Sequence, residues 1–444
     1  MHQISPIAIR LVAVLSMLYG SQGAGEDFPL PQHGSDMHLG IVTCAGSTCH
    51  GATRPFQNAA IMQNEFVVWH RKDQHAQAYK VLLNEQSKRI ARNLGLEAAH
   101  TARVCLDCHA NNVPDELRGK RFQLSDGVGC EACHGGSKRY LGPHVSGENS
   151  RAETLAAGMY PTEQPEARAK LCLSCHLGTT DKFATHRIMG AGHPRISFEL
   201  DTFTEIQPPH FKTDEDYRKR KEVWPGVQVW AVGQLVAVEQ FLNLLASAKY
   251  QSTGPWPELA FYDCHACHHS MTDRRWRPRQ LTSGLGPGVA RLNDANLIIL
   301  SHIATQLAPD VGAEYRRGIQ NLHKASLQDK ASLKAAVSRL RELTGGMRAR
   351  IVQHRFSGAD MKAILAMIAS RGSDGEYNDY GAAEQAVMAI ASIKSVLEQS
   401  GSLTPAEKTG LKTALGSLYA VLQDADEYRP ERMAATLRSL ARAF

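Results

Sequence analysis

Aromatic residues make up only 7% of the 444 residues, and strand signals are scarce throughout, so a mainly α fold with little regular sheet is expected. Cysteine is sparse as well. There are ten, with none after Cys267, too few to staple a chain of this length with disulfides. Past the first two dozen residues no apolar run is long and clean enough to span a bilayer. The stretch from Val227 to Ala248 comes nearest, but Gln228, Gln234, Glu239, Gln240 and Asn243 interrupt it, and it reads as a buried helix. The net charge of +6 is not gathered into a basic run, so nothing points to a nucleic-acid partner. What remains is a globular composition, 43% hydrophobic, with room for two or three domains.

The N-terminus reads MHQISPIAIRLVAVLSMLYGSQGAG. One basic residue, Arg10, precedes a short apolar run from Leu11 to Leu18, and small residues stand at Ser21 and Gly23. Residues 1–23 are therefore expected to be a secretory signal peptide, and the mature protein is expected in the periplasm with no transmembrane segment.

The cysteines are informative by spacing. Four places read Cys-x-x-Cys-His: Cys105, Cys108 and His109; Cys130, Cys133 and His134; Cys172, Cys175 and His176; Cys264, Cys267 and His268. Two thiols a short loop apart can form thioether bonds to the two vinyl groups of one porphyrin. The adjacent histidine then turns under the ring to reach the iron. Structural zinc also uses paired cysteines, but it does not call for a histidine after every pair.

The last two cysteines, Cys44 and Cys49, lie in CAGSTCHG and are followed directly by His50. The competing reading is a Cys44–Cys49 disulfide. A four-residue loop with the flexible Gly46 can bulge while its ends keep vinyl spacing, which makes this a stretched fifth site. Five covalent c-type haems are expected. Each ferric haem adds a net charge of roughly −1 through its propionates, so the holoprotein is expected near neutrality.

A low-spin haem needs a second axial ligand, and fifteen histidines remain for that role. His75, in WHRKDQHAQAYKVLL, is preferred over His70, which sits beside Arg71 and Lys72. His144 follows a Gly- and Pro-marked loop. His193 follows Gly190 and Gly192, with His186 seven residues before it. His210 is held by Pro208 and Pro209. His265 and His269 crowd the fifth motif and cannot easily serve their own iron. His302, His323 and His354 lie in the cysteine-free part and read as ordinary helix residues.

The run CAGSTCH…WHRKDQHAQAYKVL, then CLDCH, GVGCEACHGGSKRYLGPH and CLSCH, resembles the multihaem cytochrome c family that contains the tetrahaem electron acceptor of hydroxylamine oxidoreductase. That family is related in haem packing to hydroxylamine oxidoreductase and to pentahaem nitrite reductase. The resemblance covers about residues 40–200. It implies that His75 and His144 are distal ligands and that the haems stack in close pairs. The stretched first motif, the fifth motif at Cys264 and the long haem-free tail depart from the tetrahaem member. No CxxCK motif, which would carry a lysine-ligated catalytic haem, is present.

The expected fold is mainly α, a multihaem cytochrome c core with little regular sheet over 24–285, followed by a haem-free helical bundle over 286–444. Apolar residues recur at three and four in SLKAAVSRLREL and EQAVMAIASIKSVLEQ, and Thr404, Pro405 and Glu407 form a capping-box pattern. Four to six helices are expected there. The short interval between CLDCH and CEACH is expected to bring those two haems into near contact. The basic cluster Arg274 to Arg279 reads either as a solvated loop or as a partner for propionates or for an acidic face. The function expected is electron relay between redox partner proteins, either other cytochromes or a membrane quinol-linked complex. The alternative is an oxidoreductase with one five-coordinate haem acting on a small nitrogen or sulfur compound.

Overall fold

A computed structural model of the chain describes residues 28–57, 59, 61–146, 149–251, 257–269, 279–286 and 288–442. The signal-peptide segment and residues 274–278 of the basic cluster lie outside the described residues. The fold is mainly α. Among the described residues no strand forms, and two isolated bridges occur, His38 with Arg118 and Tyr262 with Leu292.

The first half is built from short helices, and three of them end on a motif histidine: Arg103–His109, Cys130–His134 and Pro165–His176. Their own apolar core is thin. One cluster holds little more than Leu82, Ala91, Ala99, Leu106 and Ala110, and the Glu65–Lys72 helix buries none of its residues. A region this poor in buried side chains needs another source of apolar burial.

The second half has that burial in its own side chains. The Gly226–Ala246 helix is long and apolar enough to cross a membrane by composition, yet 72% of its most apolar window is buried inside the protein. It packs against Pro165–His176, Ala295–Leu307, Lys330–Gln353 and Tyr380–Gln399. Its Trp230, Leu235 and Leu245 are fully buried. The same core continues through Phe261, Leu281 and Leu292 to Leu440, so the segment carrying the fifth motif packs with the C-terminal helices.

After residue 290 the described residues form seven helices, more than the four to six expected, because the periodic stretches break at Pro309, Pro405 and Pro430 into separate segments. The capping box at Thr404 is present: its hydroxyl accepts from the Glu407 backbone N–H, and the Glu407 carboxylate accepts from the Thr404 backbone N–H. Ser357 and Asp360 close a second one.

Candidate haem sites

In the stretched motif, the His50 backbone N–H donates to the Cys44 carbonyl at 3.1 Å, while Cys49 and Gly51 both donate to the Gly46 carbonyl at 2.9 Å. The fifth motif makes the equivalent bond, His268 N–H to the Cys264 carbonyl at 2.8 Å. The extra residues thus form a tight inner turn and leave the bond from histidine to first cysteine in place. None of the ten cysteines is in a disulfide, and the Cys44 thiol hydrogen-bonds with that of Cys130.

Each motif histidine faces one of the five candidate distal histidines. Ring centroids are 6.3 Å apart for His50 and His144, 6.4 Å for His109 and His193, and 6.5 Å for His134 and His210. They are 6.1 Å apart for His75 and His176, and 5.9 Å for His186 and His268. Metal–imidazole bonds of about 2.0–2.1 Å, with the ring radii added, place two imidazoles on opposite sides of one metal roughly 6.3 Å apart. The gap in every pair has that width. The pairs fall into two classes by ring plane. His50/His144 and His186/His268 are near parallel, at 8° and 29°, while the other three lie between 81° and 87°.

Several rings are fixed by their second nitrogen. Nδ1 of His50 donates to Glu65 Oε2 at 3.0 Å, and Nδ1 of His75 to Asp73 Oδ1 at 2.8 Å. Carbonyls accept from Nδ1 of His109 (Ala78, 2.9 Å), His144 (Leu141, 2.7 Å) and His193 (Pro194, 2.8 Å). With the proton on Nδ1, the Nε2 lone pair is left for a metal, the arrangement typical of ligating histidines. Burial opposes the Asp73 charge, but hydrogen bonds from His75 and Gln207 outweigh it and hold the carboxyl down at about 2. Burial, followed by the neighbouring His210, pushes His134 down to about 3, so its ring is neutral. The same burial lowers His109, His176 and His210.

The thiols in contact are not those of the motifs closest in sequence. Cys44 of the first motif meets Cys130 of the third, and Cys108 of the second meets Cys175 of the fourth. Cys133 lies within electrostatic reach of Cys172 and Cys175. The interval between CLDCH and CEACH closes on itself, with the Asn111 N–H donating to the Gly127 carbonyl at 2.9 Å. The CHACH turn is held by the C-terminal core: Asp263 donates its N–H to the Arg291 carbonyl and Asn293 donates to the Phe261 carbonyl. Its facing ring, His186, comes from the first half, and the His186 N–H donates to Glu258 Oε1 at 2.8 Å. The fifth site thus straddles the seam between the two halves.

Several residues here have no counterpart in the sequence reading. Glu131, the second residue of CEACH, is buried and accepts from the N–H groups of Leu39, Gly40 and Ser137 and from the Ser137 hydroxyl. Lys182 is buried with its ammonium 3.1 Å from Cys175 Sγ, donating also to Gln32 and to the Asp107 carbonyl. A carboxylate two residues before a candidate ligand, as in Asp73-Gln-His75, is a usable signal. Glu131 and Lys182 carry none, since both are placed by tertiary packing. His70 is exposed and stacks on Phe66, and His265 lies against Tyr380. His302 and His323 are deeply buried, bonded to Tyr377 and Asp294. Arg279 is neither solvated nor open to a propionate: it is fully buried between Asp294 (2.6 Å) and Asp379 (2.9 Å), whose charges it offsets.

Four of the apolar side chains left exposed adjoin candidate ligands in sequence or precede a motif. Val42 precedes the first motif, Val104 adjoins Cys105, Val145 adjoins His144 and Phe211 adjoins His210, each between 46% and 65% exposed. A large apolar macrocycle would cover such side chains and restore the burial the first half lacks. Among the described residues no cluster of three or more His, Cys, Asp or Glu side chains is placed to hold a bare metal ion. The residues present fit haem.

Residues 43–135 match the family described as Cytochrome c554 and c-prime. The "Multiheme cytochrome MtrA" of Shewanella baltica (strain OS185) is 27% identical over 179 residues, 38% of this chain and 46% of that protein. The chain therefore covers less than half the length of this curated relative. No solved structure matches the chain. Together with the motifs, these likenesses support a multihaem c-type cytochrome with covalent haem and a part in electron transport.

Proposed function

We propose that the chain is an exported, periplasmic cytochrome with five covalent haems, each closed by two histidines, that relays electrons between other redox proteins. The observation that carries this reading is the facing of all five motif histidines by a second histidine at 5.9 to 6.5 Å. When bound, the haems supply reversible one-electron iron chemistry, and the protein sets its direction and speed through ligands, burial and hydrogen bonds. In this reading Cys44/Cys49, Cys105/Cys108, Cys130/Cys133, Cys172/Cys175 and Cys264/Cys267 hold the five groups, all within residues 24–285.

The thiol contacts support one order for the relay. First and third sites adjoin, then third and fourth, then fourth and second. The second and fifth are joined by the short segment bearing both His186 and His193. Electrons would enter or leave at the first and fifth sites, whose Cys49, Cys264 and Cys267 are exposed. Partners are other cytochromes or a membrane quinol-linked complex. The finer kinship, to the tetrahaem acceptor of hydroxylamine oxidoreductase and to pentahaem nitrite reductase, rests on motif order.

The enzymatic alternative needs one motif histidine with no second histidine facing it, and each of the five is faced by one. The test is the intact mass of the mature protein together with carbon monoxide difference spectra of its reduced form. Five haems and no spectral change on adding carbon monoxide are expected. Binding of one equivalent would identify an open iron and favour the oxidoreductase.

A further inference from the structure

The second-nitrogen partners of His50, His75, His109, His144 and His193 are not equivalent. Three are backbone carbonyls, which are neutral acceptors, and two are carboxylates, Glu65 and Asp73. Hydrogen bonds to an ionised acceptor are roughly twice as strong as neutral ones, so the proton on the ring is drawn further away. The ring becomes more electron-rich, and a more electron-rich ligand favours ferric over ferrous iron.

Asp73 is the stronger of the two. Its side chain is 4% exposed against 16% for Glu65, and its bond to the ring is shorter, 2.8 Å against 3.0 Å. The carboxylate is also locked. Oδ1 takes the His75 backbone N–H at 2.9 Å as well as the ring N–H, capping the Gln74–Gln77 turn that carries the histidine. Oδ2 takes the Gln207 amide at 2.8 Å. Among the described residues no lysine or arginine pairs with Asp73, so its charge faces the neutral His75 ring. The His75 ring stands 6.1 Å from the ring of His176.

We propose that Asp73 sets the reduction potential of the haem attached at Cys172 and Cys175. The carboxylate, acting through the His75 ring, stabilises that haem's ferric state and lowers its potential. Asp73 is a positioning residue, and the inference rests on the bis-histidine reading given above. Asp73→Asn keeps the shape: the new amide oxygen still accepts from His75, and its nitrogen meets Gln207 once that amide turns over. The charge alone is lost. Gln207→Leu does the opposite. It removes the competing donor, so the carboxylate pulls harder on the ring.

The experiment is a spectroelectrochemical titration of the holoprotein and both variants, with low-temperature EPR of each. In Asp73→Asn one of the five potentials should rise, and one of the low-spin signals from near-perpendicular ligand pairs should shift. In Gln207→Leu the same potential should fall. A role confined to packing gives no such opposite pair of shifts. Five loaded low-spin haems with potentials unchanged in Asp73→Asn would overturn the proposal. If that variant fails to load its haem, Gln207→Leu decides, with a fall supporting the proposal and no shift overturning it. His75→Ala separates the underlying reading: if it creates no new high-spin haem, His75 is not an axial ligand and the bis-histidine reading of this site fails first.

Discussion

Gly51 stands where a Cβ would lie 1.9 Å from the carbonyl oxygen of Ala45, so only glycine lets the CAGSTCHG loop close after its histidine. That approach is what allows Gly51 to donate to Gly46 while His50 still reaches Cys44. Gly51→Ala should therefore open the inner turn and spread the two thiols. Intact mass should show four haems in place of five, with the other motifs loaded. A fully loaded variant would mean that the turn is not needed for attachment.

Each distal histidine should be separable from the rest. His193→Ala leaves the His109 ring without its partner at 6.4 Å. One low-spin haem should become high-spin and bind carbon monoxide in the reduced state, with four unchanged. The same single change is expected from His186→Ala at the fifth site. The check is carbon monoxide stoichiometry against haem content. Unchanged stoichiometry would remove that histidine from the ligand set.

The C-terminal bundle carries a buried charge centre at Arg279. Its guanidinium is wholly inaccessible and lies between Asp294 and Asp379, with His323 donating to the same Asp294 oxygen at 2.8 Å. Removing one member leaves uncompensated buried charge, a loss of about 3–5 kcal/mol. Arg279→Leu should lower the denaturant midpoint of the helical signal by a corresponding amount without altering haem content. A midpoint equal to the parent's would show that the two aspartates are neutralised in another way.

Acid should weaken the same bundle through His302. Burial, reinforced by Arg316 and Arg371, pushes this fully buried ring down to about 3 from its ordinary value near 6.5. The folded state thus holds His302 neutral while the unfolded chain takes up a proton below that ordinary value. Stability is highest above pH 6.5 and falls as the pH drops from there towards 3. His302→Gln, which can still bond the Tyr377 hydroxyl, should flatten this part of the pH–stability curve. A slope between pH 6.5 and 4 equal to the parent's would assign the acid sensitivity to other groups.

Local patterns were readable wherever chemistry demands a fixed spacing. The ten cysteines, the adjacent histidines and the Thr404 capping box are all of this kind. Which histidines face a motif was readable in part: Gly190 and Gly192 before His193, and the prolines before His210, mark segments whose rings come near His109 and His134. What spacing cannot reveal is which thiols meet. Cys44 with Cys130 and Cys108 with Cys175 depend on how short helices fold over one another. Buried polar residues were hidden for the same reason. Arg279 sits in a run of arginines that reads as a solvated loop or as a partner for propionates or an acidic face, and Lys182 in a loop, yet tertiary packing buries both.

Low-temperature EPR of the fully oxidised protein reads out axial ligation at all five irons at once, because ligand number sets the spin state and ring orientation sets the shape of the low-spin signal. The five facing pairs predict five low-spin irons and no high-spin signal. Two should be rhombic, from the near-parallel pairs His50/His144 and His186/His268. Three should show the large, strongly anisotropic g values of near-perpendicular rings. A high-spin ferric signal integrating to one iron would contradict the account, since it would mean that one facing histidine does not close its haem.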